Sequence, residues 1–145
     1  MVLAFRTAAR CPILTSHHDR VDASRRAGRK TRAMTAQETI VKLPEDLLTL
    51  LREPSTCYLA TSMADGSPQL TQTWVDTDGE HVLINTVQGH VKVRNIERDP
   101  RVAVAISDPD KPSRYFRVRG RVIDVTADGA AEHIEKLAQR YLGGS

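Results

Sequence analysis

Between residues 56 and 126 the sequence breaks into short runs of alternating apolar and polar residues, with turn signals setting them apart. Alternation with a period of two marks a strand that buries one face, and short strands joined by tight turns pair with antiparallel neighbours. The runs are TCYLATSM (56–63), PQLTQTWV (68–75), HVLINT (81–86), RVAVAIS (101–107) and RYFRVRGRVIDVT (114–126). Ala64-Asp65-Gly66-Ser67 reads as a hairpin turn, DTDGE leads into the third run, and DPDKPS precedes the last. In the longest run Phe116, Val118, Gly120 and Val122 alternate with Arg117, Arg119, Arg121 and Ile123. Gly120 at its middle predicts a bend or bulge, the device by which a sheet curls until its edges meet. Five short strands at near-regular spacing therefore predict a small antiparallel barrel.

Helices bracket these strands. PEDLLTLLR (44–52) places four leucines behind a proline suited to a first helical turn, with Glu45 and Asp46 where the helix dipole favours acids. Residues 128–142 carry Ile134, Leu137, Ala138 and Tyr141 at helical spacing, with Asp128 as the expected N-cap and Gly143 as the stop. A chain of 145 residues suits one domain with a single core. It holds no internal repeat and no apolar run long enough to span a membrane.

The formal charge of +3 is unevenly spread. Residues 1–33 hold eight Arg/Lys against Asp19 and Asp22, a net of +6, while residues 34–145 hold thirteen against sixteen Asp/Glu, a net of −3. The body is thus mildly acidic, which argues against nucleic acid as its partner. Residues 1–33 are Arg- and Ala-rich and lack the apolar core of a secretory signal. Their composition predicts a disordered basic leader. It is a transit peptide, a basic tail or translated sequence upstream of the true start, and ordinary globular patterning begins at Met34. His17-His18 lacks a third ligand and Cys11 and Cys57 lack metal-binding spacing, so no metal site is expected. Two unpaired cysteines fit a reducing cytoplasm.

The stretch NTVQGHVKVRNIERDP (85–100) runs from a strand end through Gly89 into a basic helix. A glycine lets backbone approach a ligand, a helix start presents unpaired N–H groups, and a nearby cation supplies charge, which together hold phosphate. A solvated turn with scattered cations explains the same residues. No protein-based catalyst stands out elsewhere. Cys57 lies in an apolar strand, His81 begins a strand and reads as structural, and His133 falls on the outward face of the last helix beside Glu132 and Lys136. A phosphate-like cradle without acid, base or nucleophile suggests that a bound cofactor carries the reaction.

The segment from Tyr58 to Pro109, followed by RYFRVRGRVIDVT and a helix ending in RYLGG, resembles the flavin/deazaflavin oxidoreductases of the split β-barrel, pyridoxamine 5′-phosphate-oxidase-like superfamily. The nearest branch is that of the actinobacterial enzymes using coenzyme F420, and the motif NTxxGHxKxRNIxRDPRVAV carries most of the likeness. The resemblance covers about residues 40–143. It implies a mainly β, antiparallel, Greek-key-like FMN-binding split β-barrel over residues 34–145, and a homodimer with cofactor sites between subunits. It further implies that Gln69, Thr71, Gln72 and Trp74 lie along the cofactor ring, and that Asn85, Thr86, Gly89, His90 and Lys92 hold its phosphate side. Arg94 and Asn95 complete the motif. Trp74 reads equally as a dimer-core aromatic, and Asn95 as a packing and capping residue. Position 90 usually carries Arg in this motif and is His here, implying a weaker hold on phosphate. The family continues into a further strand where this chain stops at YLGGS, so a C-terminal truncation is expected. The activity implied is hydride transfer between reduced F420 and a small conjugated substrate. The alternatives are an FMN-dependent oxidase and a non-catalytic carrier.

Overall fold

The computed structural model describes residues 1–7 and 42–143. Seven strands form one antiparallel sheet: β1 (Val2–Thr7), β2 (Thr56–Ser62), β3 (Pro68–Thr73), β4 (Val75–Thr77), β5 (Val82–Asn85), β6 (Arg101–Ser107) and β7 (Tyr115–Thr126). Their spatial order is β3-β2-β6-β7-β1-β5-β4. The two ends of that order are nearly one strand, because only Trp74 separates β3 from β4. β3 pairs with β2 along its whole length, after which the chain changes partners and β4 pairs with β5. That exchange joins one edge of the sheet to the other and makes it a split barrel rather than an open sheet.

Alternation sorts the side chains as expected. Leu59, Val104, Ile106, Phe116, Val118 and Ile84 are buried inside, while Tyr58, Ala105, Arg117, Arg119 and Arg121 face out. The irregularity expected at Gly120 falls instead at Ile123. Gly120 pairs in register with Val102. Ala4 opposes Asp124 and Phe5 opposes Val122, so Ile123 is the extra residue of a bulge. The bulge switches faces: Val122 points in, Ile123 and Asp124 out, and Val125 packs on the core again.

β1 overturns part of one expectation. Residues 2–7, read above as part of a disordered leader, lie between β5 and β7 and pair with both. Leu3 and Phe5 are each 1% exposed and belong to the main core. The four residues Val2 to Phe5 are a strand pattern too short to outweigh the composition around them, and the pairing that stabilises them is with residues about 80 and 120 positions away. The rest of the expected leader, with His17, His18 and Cys11, lies outside the described residues.

Among the described residues three helices surround the sheet. α1 (Glu45–Leu51) buries Leu47, Leu48, Leu50 and Leu51 against β4 and β6. α2 (Val91–Arg98) packs on β2 through Val93, Asn95 and Ile96. α3 (Ala130–Leu142) starts after Gly129 rather than from an Asp128 cap, and ends at Gly143, whose φ of +66° suits glycine. Leu137 is the residue of α3 that is fully buried. Polar groups hold this helix: His133 Nε2, Lys136 Nζ and Arg140 Nη1 reach the buried Asp76 carboxylate of β4 at 3.1, 2.9 and 3.0 Å. Positions 133, 136 and 140 recur every three or four residues and so share one face of the helix. Burial alone would raise the Asp76 carboxyl, but its hydrogen bonds to Lys136, the Thr77 N–H and Arg140 outweigh it and leave it below the usual range. His133 is therefore not a solvated residue, as its neighbours in sequence implied. Its side chain is 12% exposed.

Candidate functional site

A cavity of about 430 Å³ opens where the chain passes from β3 to β4. Its walls come from the segment before β2 (Pro54 to Thr56), the strand exchange (Gln72 to Trp74), the end of β5 with its following turn (Asn85 to Val87), the start of α2 (His90, Lys92), and Tyr141 of α3. The site lies at the break in the barrel because there the backbone lacks ladder partners. Val75 N–H donates to Tyr141 Oη at 3.1 Å, and Tyr141 Oη donates to Ser55 C=O at 2.8 Å, so one tyrosine ties β4 to the segment that leads into β2. Its ring stacks on Trp74 with centroids 5.3 Å apart and planes 15° apart, forming an aromatic wall.

The other character of the cavity is polar. Lys92 is half-buried, and the loss of water around its ammonium lowers its pKa. His90 is the residue before α2, with extended backbone and no side-chain cap, so the first N–H groups of the helix have no intrahelical acceptor. Thr86 Oγ1 lies 3.5 Å from His90 Nδ1. Gly89 makes the turn into α2 with φ of +86°, and nothing stands within 4 Å of where a Cβ would be. Thr73 Oγ1 is buried on the cavity wall without a hydrogen-bond partner of good geometry. Pockets of this volume, apolar on one side with a few convergent polar groups, suit a small-molecule cofactor.

The cavity brings together six of the expected residues: Gln72, Trp74, Asn85, Thr86, His90 and Lys92. Gln69, Thr71, Gly89 and Arg94 do not line it. Gln69 Oε1 accepts from Thr61 Oγ1 at 2.8 Å and from Asn95 Nδ2 at 3.4 Å, inside the barrel. Asn95 is 2% exposed, donates to Thr61 Oγ1 and accepts from Arg98 Nη2, so it packs α2 onto β2. Thr71 Oγ1 is buried without a partner on the same inner face. Arg94 is exposed. The sequence reading missed Tyr141, Thr73 and the segment from Pro54 to Thr56. The available signal for Tyr141 was its place in RYLGG, one aromatic on a helix otherwise poor in them.

Among the described residues no group of three or more His, Cys, Asp or Glu is arranged to hold a metal ion, and no helix is long and apolar enough to cross a membrane. His81 Nδ1 lies 2.8 Å from Asp78 Oδ2, in the turn that also ties Asp78 Oδ1 to two backbone N–H groups. Cys57 is fully buried, and burial pushes its thiol up to about 11.

Comparisons with known proteins agree with this fold. One solved structure with the same fold is an "F420 Reductase", 39% identical, with a TM-score of 0.62 over 68% of this chain and 79% of that one. Another is a conserved hypothetical protein from Mycobacterium tuberculosis, 28% identical, with a TM-score of 0.52 over 71% of this chain and 67% of that one. A comparison with curated proteins finds no match. The family model for pyridoxamine 5′-phosphate oxidase matches residues 43–144, which takes in every wall of the cavity, and the chain belongs to that family.

Proposed function

We propose that the protein is an oxidoreductase that binds coenzyme F420 in this cavity and moves a hydride between the reduced deazaflavin and a small conjugated substrate. The observation that carries the reading is the pairing of a stacked Trp74–Tyr141 wall with a half-buried Lys92 in one cavity. An aromatic wall suits a planar ring, and a cation shielded from water suits a phosphate. The likeness to an F420 reductase at 39% identity supports the choice of cofactor. When bound, the deazaflavin supplies the redox chemistry. The chain's own part is to hold and to shield: Trp74 and Gln72 flank the ring, while Lys92, His90 and Thr86 meet the phosphate. Tyr141 keeps α3 over the break in the barrel and limits the entry of water.

A second copy of the chain completes the proposal. Tyr58 and Leu70 are 41% and 66% exposed on the outer face of β2 and β3. They lie beside Ala60, Ala103 and Ala105 in register, an apolar patch suited to pairing with its own image.

The family model favours a second reading, with FMN as the cofactor of an oxidase. Trp74 is the one tryptophan of the chain, so its fluorescence reports binding directly. Titrating F420 and FMN at several salt concentrations separates the readings. F420 is expected to bind more tightly and to weaken more steeply with salt, since its acidic tail adds charges. Tighter binding of FMN moves the assignment to the second reading, and no binding of either overturns both. Turnover with quinones and enones then separates an enzyme from a carrier.

A further inference from the structure

Beneath the cavity wall runs a chain of hydrogen bonds whose direction is fixed from one end. Asn85 Nδ2 lies 2.9 Å from the backbone carbonyl of Ala130. A carbonyl only accepts, so the amide must turn its NH₂ group that way. The same Nδ2 lies 3.2 Å from His133 Nδ1, which must then be the accepting nitrogen of the ring. His133 consequently carries its proton on Nε2, which donates to Asp76 Oδ2 at 3.1 Å. Asp76 is held in turn by Lys136 and Arg140. Both hydrogens of the Asn85 amide are thus used inside the protein. Its Oδ1 accepts no hydrogen bond from the described residues, and Asn85 lines the cavity.

We infer that Asn85 meets the ligand as an obligate hydrogen-bond acceptor, its polarity fixed by the Ala130 carbonyl and reinforced by His133 Nδ1 as a second, positioning acceptor. The group opposite Asn85 in the bound ligand is therefore a donor, a ring N–H or a hydroxyl, and not a phosphate oxygen. Two acceptors facing one another in a partly desolvated site repel, so this side chain discriminates against the anionic end of a cofactor and orients its neutral part. The role differs from the phosphate-side one that the motif implies. It rests on the proposed function in one respect, that the cavity takes a flavin-like ligand.

The test on the full chain has two independent arms. Without ligand, ¹⁵N NMR of the imidazoles reads the tautomer of His133, and a neutral ring with its proton on Nε2 is expected. A proton on Nδ1 overturns the inference whether or not any cofactor binds. In the second arm riboflavin, which has donors and no phosphate, and sulfate, an anion without donors, serve as probes. Asn85→Ala is expected to weaken riboflavin binding about tenfold, and His133→Leu, which leaves the Ala130 carbonyl in place, by less than that, while inhibition of FMN binding by sulfate stays the same. His133→Asn keeps an acceptor near the place of Nδ1 and should restore riboflavin affinity to within about threefold of the parent. Unchanged riboflavin affinity in Asn85→Ala, or an equal loss for sulfate, overturns the inference. If the parent binds none of riboflavin, FMN and F420, the proposed function fails and the tautomer alone decides the polarity of Asn85.

Discussion

Replacing Asp76 by Asn keeps the shape of a buried side chain and removes its charge. The parent carboxylate is 3% exposed and meets three groups from α3. They do not count equally. The Lys136 side chain is 59% exposed, so its ion pair contributes at most about 1 kcal/mol. Arg140 and His133, at 17% and 12% exposed, lose a partner that water does not readily replace. Breaking a buried pair costs about 3–5 kcal/mol. The lower end applies here, because Arg140 keeps Leu51 C=O and Val75 C=O as acceptors at 3.2 and 3.4 Å. The expected loss is about 3 kcal/mol, or roughly 10 °C in Tm for a chain of this size. Urea unfolding followed by circular dichroism measures it. Trp74 fluorescence shows in the same samples whether Tyr141 has left the stack. The effect also carries a pH signature. The folded-state pKa of Asp76 is lowered, so its contribution is complete above the unfolded carboxyl pKa, near 3.9, and is lost as pH falls through the folded value. Parent and variant should differ most at pH 7, and the difference should shrink as pH falls below about 4. A difference under about 1 kcal/mol at pH 7, or one unchanged at pH 3, would show that other contacts hold α3.

Lys92→Ala should weaken cofactor binding about tenfold or more and leave stability nearly unchanged, since the ammonium has no ion-pair partner among the described residues. Isothermal titration with F420 or FMN checks it, and unchanged affinity removes Lys92 from the site. Phe5→Ala should cost about 3–5 kcal/mol, because this side chain is 1% exposed in the main core. A melting temperature like the parent's would mean that β1 is dispensable. With Cys11 replaced by Ser, a thiol reagent at pH 8 should modify the protein only in denaturant, because Cys57 is fully buried and its thiol is raised to about 11. Labelling of the native protein within minutes would contradict that burial.

β2, β3, β5, β6 and β7 were legible because each carries its own alternation and its own turn. Asp65, Asp78 and Asp108 accept backbone N–H groups in three of those turns, a local chemistry that needs no knowledge of the fold. Asn85, His90 and Lys92 were legible for a similar reason, lying within eight residues of one another across a single strand-to-helix turn. What stayed hidden depends on distant pairs. His133 looked solvated because its helical neighbours are charged, yet its partner Asp76 lies 57 positions earlier. Tyr141 enters the site only because it satisfies Val75 and Ser55, 66 and 86 positions away. Gln69 and Thr71 do not line the cavity because their surroundings are set by distant partners: Gln69 is bonded to Thr61 and Asn95, and Thr71 Oγ1 is buried.

The place of β1 has a consequence for how the chain is made. Its two partners are β5, near residue 84, and β7, which ends at Thr126. At a synthesis rate of about 5–20 residues per second, β1 waits roughly 6–24 seconds before both neighbours exist. Until β5 is made Val2 to Phe5 is an apolar segment with two unmet hydrogen-bonding edges, and the edge that β7 covers stays unmet to the end of that interval. The ring cannot close on the ribosome until β1 meets β7, and such long-range closure is slow even in the free chain. Chaperone dependence and loss to inclusion bodies on fast expression are therefore expected of this sequence, from the same strand that completes its sheet.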